Sequence, residues 1–101
     1  MPHAVFYCEY QLKKDASVPD FLQAAETLNN GYISKQKGYV SWKQLADGET
    51  WVDLLTFETM DDCKKFEADA GNSGELSEKF YSFINLSSCK VRYYSVERNY
   101  Q

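Results

Sequence analysis

A single histidine, His3, lies at the start of this 101-residue chain. That scarcity removes most zinc sites, Ser-His-Asp triads and schemes built on an imidazole base. The three cysteines, Cys8, Cys63 and Cys89, are an odd number with no CxxC spacing. They predict neither a disulfide framework nor a metal knuckle, and their apolar neighbours suit buried thiols. Five glycines are too few and too scattered for a P-loop or a dinucleotide fingerprint. Lys and Arg are interspersed with acids at a net charge of −4, so the basic stripe that tracks phosphates is missing. Nucleic acid is excluded as a partner on that ground. No apolar run approaches the ~18 residues of a membrane span, and Met1-Pro2-His3 lacks the parts of a signal peptide. No membrane association and a cytoplasmic location are therefore expected. No cofactor is expected either.

What the chain does have is aromatic side chains, 16% of its residues and eight of them Tyr. Such a supply suits a core or a dimer contact first, and after these a cavity that needs apolar walls with polar tips. The length predicts one domain over 1–101.

Ala4 to Leu12 reads as a strand, free of breakers and rich in Val, aromatics and Cys. Ser17 suits a helix N-cap and Pro19 a first turn. Phe21, Leu22, Ala25, Leu28, Tyr32 and Ile33 then form one apolar stripe, a helix of about five turns. Gly38 to Thr59 reads as a hairpin about Asp47-Gly48. That register sets Gln44 opposite Trp51, Trp42 opposite Asp53 and Val40 opposite Leu55. Val40, Trp42, Gln44, Trp51, Asp53, Leu55 and Phe57 thus share one face. Thr59 with Asp62 resembles a capping box for a second helix, carried by Met60, Cys63 and Phe66. The run Ala70-Gly71-Asn72-Ser73-Gly74 predicts a kink or loop near a cavity mouth. Leu76, Phe80, Phe83 and Ile84 resume a helical stripe, and Cys89 to Arg98 reads as the last strand.

The order is strand, helix, strand, strand, helix, strand. It predicts the α+β class: a ferredoxin-like βαββαβ domain with a four-stranded antiparallel sheet and two helices on one face. Val52, Leu54 and Tyr39 suffice for the helix side, which leaves the face with Trp42, Trp51, Asp53, Leu55 and Phe57 bare. A second copy of the sheet is its simplest cover, so a two-fold homodimer is expected.

Element order, Gly38-Tyr39 at the second strand and the segment Val52-Asp-Leu-Leu-Thr-Phe-Glu-Thr59 carry a resemblance. The chain resembles the dimeric α/β barrels of the antibiotic-biosynthesis-monooxygenase type. The resemblance implies paired sheets enclosing a ligand cavity, and a small cofactor-independent oxygenase or related enzyme acting on an aromatic molecule. The haem-degrading branch of that fold uses an Asn, a Trp and a His. Cys8 stands at the Asn position and Phe57 at the Trp position, and the second helix has no His. Haem degradation is therefore disfavoured.

Asp53 is the candidate catalytic residue. A carboxylate in an apolar strand face has its charged form disfavoured, as a general base for a phenolic proton requires. The alternative is a carboxylate in an ion pair or interface hydrogen bond. Cys8, Trp42, Trp51, Leu55 and Phe57 are the candidate ligand-binding residues. The two tryptophans are read as diagonal neighbours that either stack on a flat ligand or anchor the dimer. Three functions are open: a barrel enzyme, a non-catalytic binder of a small apolar molecule, and a structural dimer with a filled interface.

Overall fold

The computed structural model describes residues 2–69 and 74–100. Four strands form one antiparallel sheet in the order β2-β3-β1-β4: β1 (Ala4–Leu12), β2 (Tyr39–Asp47), β3 (Thr50–Phe57) and β4 (Ile84–Ser95). Helix α1 (Val18–Gly31) connects β1 to β2, and α2 (Met60–Ala68) and α3 (Glu75–Tyr81) connect β3 to β4. This is the expected ferredoxin-like α+β arrangement, with the second helical stretch made of two helices. Of the break expected at Gly71 to Gly74, residues 71–73 lie outside the described residues, and Gly74, at φ +58°, immediately precedes α3.

Local signals act as their chemistry dictates. The amide of Asp20 donates to Ser17 Oγ at 3.3 Å, and the amide of Asp62 donates to Thr59 Oγ1 at 3.1 Å. Each capping oxygen thereby satisfies one of the helix's orphan donors. Helix α1 is shorter than the stripe suggested. It stops at Gly31, and Ile33–Lys35 form a separate 3₁₀ turn that seats Ile33 in the core.

The hairpin turns at Gly48-Glu49, one residue later than Asp47-Gly48. Gly48 takes φ +62°, so it supplies the left-handed residue that a two-residue turn of this kind needs first. Gln44 faces Asp53 and Trp42 faces Leu55, a shift of two residues from the expected register. A shift of two preserves parity, so the same side chains share the same face. The ladder slips once more between Tyr39 and Ser41. That bulge turns Val40 out to 42% exposure, off the face it was expected to share with Trp42, and brings Tyr39 against the core on the helix side, where it was expected.

The main correction concerns the two faces. The helices cover the face with Trp42, Trp51, Asp53, Leu55 and Phe57; it is not the bare one. Phe21 of α1 sits edge-on to Trp51 at 5.2 Å, Phe80 of α3 edge-on to Trp42 at 5.6 Å, and Phe66 of α2 tilted on Phe57 at 5.2 Å. Volume decides this. Three helices present large rings, and the tryptophan–phenylalanine face fills the space beneath them better than Val52 and Leu54 do. The opposite face carries Val5, Tyr7, Val52 and Leu54 at its centre, with Leu45 48% and Tyr94 50% exposed.

The last strand begins at Ile84, five residues before the expected Cys89, so Ile84 starts a strand and does not end a helical stripe. An irregularity between Glu9 and Gln11 of β1 absorbs the extra residues of β4. There Ser88 Oγ accepts from the Gln11 amide at 2.9 Å and donates to the Asn85 carbonyl at 2.6 Å. Side-chain oxygen replaces the ladder where the strands fall out of step.

Candidate functional site

Between the sheet and the helices lies a pocket of about 190 Å³. Its floor comes from alternate residues of the strands: Cys8 and Tyr10 of β1, Trp42 of β2, Asp53 and Leu55 of β3, Cys89 of β4. A period of two puts each set on one face. Its walls come from Phe66 of α2 and Phe80 of α3. Glu67, Tyr81 and Val91, all exposed, stand at the rim.

Asp53 is the one buried carboxylate among the described residues, 4% exposed, in the middle of β3. The Tyr10 hydroxyl donates to its Oδ1 at 2.9 Å. Burial pushes the Asp53 pKa up from 3.8 to about 7, against the opposing pull of Tyr10, Trp42 and Gln44. The pull of Trp42 and Gln44 comes from N–H dipoles beside the carboxyl. Neither Trp42 Nε1 nor Gln44 Nε2 reaches a hydrogen-bond partner, although both atoms are buried. A buried donor left unmade costs about 1–3 kcal/mol, and a ligand acceptor would recover it. No Lys, Arg or His lines the pocket, so nothing compensates the Asp53 charge.

The thiols and phenols of the pocket stay protonated at neutral pH. Burial first, and Asp53 second, push the Cys8 thiol up to about 12. Cys89 is raised by the same burial. Tyr10 is driven well above its usual value by burial and by the neighbouring carboxylate. Tyr81 is raised to about 12, mainly by desolvation. Neither thiol is a nucleophile there, since the thiolate is the reactive form. Among the described residues no cluster of three or more His, Cys, Asp or Glu side chains could hold a metal ion.

Of the residues singled out in the sequence, Cys8, Trp42, Asp53 and Leu55 line this pocket together. Trp51 and Phe57 share their face but lie outside the pocket, packed under α1 and α2. Trp42 lies opposite Leu55 and Trp51 opposite Ala46, at separate places along the hairpin. They pack on different phenylalanines and are not the expected aromatic pair. Asp53 makes no ion pair, and its partner is Tyr10. Sequence reasoning missed Tyr10, Phe80 and Cys89 as members of the site. Tyr10 shares the parity of Cys8 and was within reach; the α3 and β4 residues come from distant sequence.

A second, open groove of about 860 Å³ lies outside α3, lined by Lys13, Glu78, Asn85 and Leu86 among others. It shares Tyr81 and Ile84 with the inner pocket but holds no buried ionisable side chain. Chemistry therefore points to the smaller cavity.

No protein-family model matches the chain, and no curated protein matches it. Solved structures do. SnoaB, a cofactor-independent oxygenase from Streptomyces nogalater, superposes with a TM-score of 0.74 at 10% identity, over 98% of this chain and 97% of that one. The ActVA-Orf6 monooxygenase of Streptomyces coelicolor, solved with nanaomycin D, gives 0.69 at 16% identity, over 99% and 92%. A protein of unknown function from Nitrosomonas europaea gives 0.67 at 16% identity, over 100% and 95%. At these identities the likeness is one of fold alone, the ferredoxin-like α+β fold. Among the described residues no helix is long and apolar enough to cross a membrane.

Proposed function

We propose that this protein is a small monooxygenase-like enzyme that takes a neutral aromatic molecule into the pocket beneath α2 and α3. Asp53 acts there as the general base for a phenolic or enolic proton. The observation that carries this reading is a mid-strand carboxylate in an apolar cavity, bonded to Tyr10 and matched by no cation. Its raised pKa, about 7, is where a base works best at neutral pH. Cys8, Trp42 and Leu55 contact the ligand, and Trp51 and Phe57 hold the scaffold. The fold shared with SnoaB and ActVA-Orf6 supports the reaction class without naming a substrate.

The volume limits the ligand. A dry cavity of about 150 Å³ accepts benzene. A pocket of about 190 Å³ accommodates one or two fused rings. The test is a thermal-shift screen of naphthols and hydroxynaphthoquinones, followed by oxygen uptake on the compounds that stabilise. Stabilisation with protein-dependent oxygen uptake is the expected result. Stabilisation without uptake assigns the protein to the non-catalytic binders, and no stabilisation by any of them contradicts the ligand site itself.

The partner assignment transfers to the other face of the sheet. Val5, Tyr7, Val52, Leu54, Leu45 and Tyr94 are the apolar surface left for a second copy. Tyr7 and Tyr94 touch edge-on at 6.0 Å and make a ridge on it. A homodimer through this face predicts twice the chain mass by light scattering at micromolar concentration, and Leu54→Lys should yield single chains that are still folded. A wild-type mass of one chain contradicts it.

A further inference from the structure

We infer that the inner pocket carries a second, oxygen-independent activity: proton transfer at the carbon next to a carbonyl in a neutral cyclic ketone, with Asp53 as base and Trp42 Nε1–H as donor to the developing enolate oxygen. The inference rests on the reading of this pocket as a ligand site, and it does not need oxygen chemistry.

What the pocket offers and what it omits both bear on this step. It offers one carboxylate whose position is fixed from behind by Tyr10 at 2.9 Å. Beside it stands a buried indole N–H with no partner. In an enolisable ketone the acidic hydrogen and the carbonyl oxygen are borne by neighbouring carbons. Base and oxyanion donor must therefore sit side by side, and Trp42 and Asp53 line the pocket from paired strands, with Trp42 opposite Leu55, two residues along β3 from Asp53. An N–H already in place, in an apolar site, stabilises the charge that appears on oxygen without reorganising. Gln44 pairs with Asp53 across the hairpin but is not part of the pocket wall, so it acts as a positioning residue behind the carboxyl.

The omission is equally informative. Among the described residues, Asp53 and, at the rim, Glu67 are the only Asp, Glu, Lys, Arg or His side chains that line the pocket. An anionic substrate meets two carboxylates and no cation. A neutral ketone meets neither objection. The thiols of Cys8 and Cys89 remain protonated, so the pocket holds no competing nucleophile.

The step balances within the substrate and Asp53. The carboxylate removes the proton from the carbon adjacent to the carbonyl. The C–H electron pair becomes the new C=C bond, and the C=O π pair moves onto oxygen, where Trp42 Nε1–H receives it. Protonated Asp53 trades its proton with solvent and then returns one, a deuteron in D₂O, to the same carbon, or to the far end of a conjugated system. The first outcome is exchange and the second is migration of a double bond. Nothing is oxidised or reduced.

The probe is 2-tetralone, two fused rings within the volume limit. Purified protein in D₂O under argon is followed by NMR for loss of the C1 hydrogens, and by thermal shift for binding. Wild type is expected to exchange C1 at least tenfold faster than buffer at pH 7.5. Asp53→Asn should still be stabilised by 2-tetralone and exchange at the buffer rate. Trp42→Phe should lose most or all of the acceleration over buffer, since one oxyanion donor is worth about 10²-fold. A wild type that binds 2-tetralone and exchanges it no faster than buffer overturns this inference and leaves the ligand site intact. A wild type that is not stabilised by 2-tetralone overturns the inference and the site reading together. Exchange that survives in Asp53→Asn refutes the assignment of the base.

Discussion

Asp53→Asn should make the protein more stable at pH 8 while abolishing its chemistry. The folded chain keeps the Asp53 proton up to about pH 7, whereas an ordinary aspartate loses it near 3.8. Between those values the folded state binds more protons than the unfolded one, so stability falls as pH rises from about 4 to about 7 and levels off above. A rise of three pH units at about 1.4 kcal/mol each sets a ceiling of about 4 kcal/mol. Asparagine is nearly isosteric, keeps an acceptor for the Tyr10 hydroxyl and carries no charge to bury. The variant should therefore gain about 2–4 kcal/mol at pH 8, and for a domain of this size a Tm higher by roughly 10–20 °C. At pH 4 wild type and variant should nearly coincide. The same charge that burdens the fold serves the reaction, a stability–activity trade-off located in one side chain. A variant no more stable than wild type at pH 8, measured by urea denaturation, would show that Asp53 is not the strained carboxylate described.

The second large effect is Phe21→Ala. Phe21 is fully buried at the centre of an aromatic cluster, with ring centroids 5.2 Å from Trp51, 5.2 Å from Phe80, 6.0 Å from Phe83 and 6.1 Å from Tyr10. Removing its ring loses the transfer energy of the side chain and leaves a cavity that the sheet, α1 and α3 cannot all close. The expected loss is about 3–5 kcal/mol. Leu22, the next residue along α1 and 41% exposed, is the control, and Leu22→Ala should stay within about 0.5 kcal/mol of wild type. A double-mutant cycle between Phe21 and Trp51 should give a coupling of about 0.5–1.5 kcal/mol. Zero coupling would mean that α1 does not lie on the tryptophan face. Additive losses of equal size at Phe21 and Leu22 would say the same of the helix orientation.

That orientation marks the boundary of what the sequence revealed. Strand β1 was legible to the residue, because nothing between Ala4 and Leu12 breaks it. Both caps were legible, because Ser17 and Thr59 are each followed three residues on by an amide they can hold. The company of Asp53 on its own strand was legible as well, and it survived a two-residue error of register because parity did. Which face met the helices was not legible. Val52 and Leu54 are as apolar as Leu55 and Phe57, so β3 carries no alternation that separates core from surface. The decision belongs to the rings of α1, α2 and α3, which sit far away in sequence. For the same reason the wall of the pocket, Phe66 and Phe80, and the orphaned N–H of Trp42 emerged only from the assembled fold. The early start of β4 at Ile84 was hidden by the polar run Asn85, Ser87 and Ser88, whose side chains bridge an irregular ladder.

The proposed ligand site lies inside one chain and not at the proposed dimer face. The pocket is complete within a single chain, lined by its own strands and helices. Dissociation by Leu54→Lys should then lower stability without removing the pocket, and ligand binding and self-association become separable measurements.

The central claim is that burial in this pocket holds Asp53 as a half-ionised base at neutral pH. Its side-chain carboxyl carbon, followed by ¹³C NMR from pH 4 to 9, reports this directly. The account predicts a titration midpoint near 7 in the free protein, absent from Asp53→Asn and displaced when a two-ring ligand fills the pocket. A midpoint near 4, unmoved by any ligand that stabilises the fold, would contradict it.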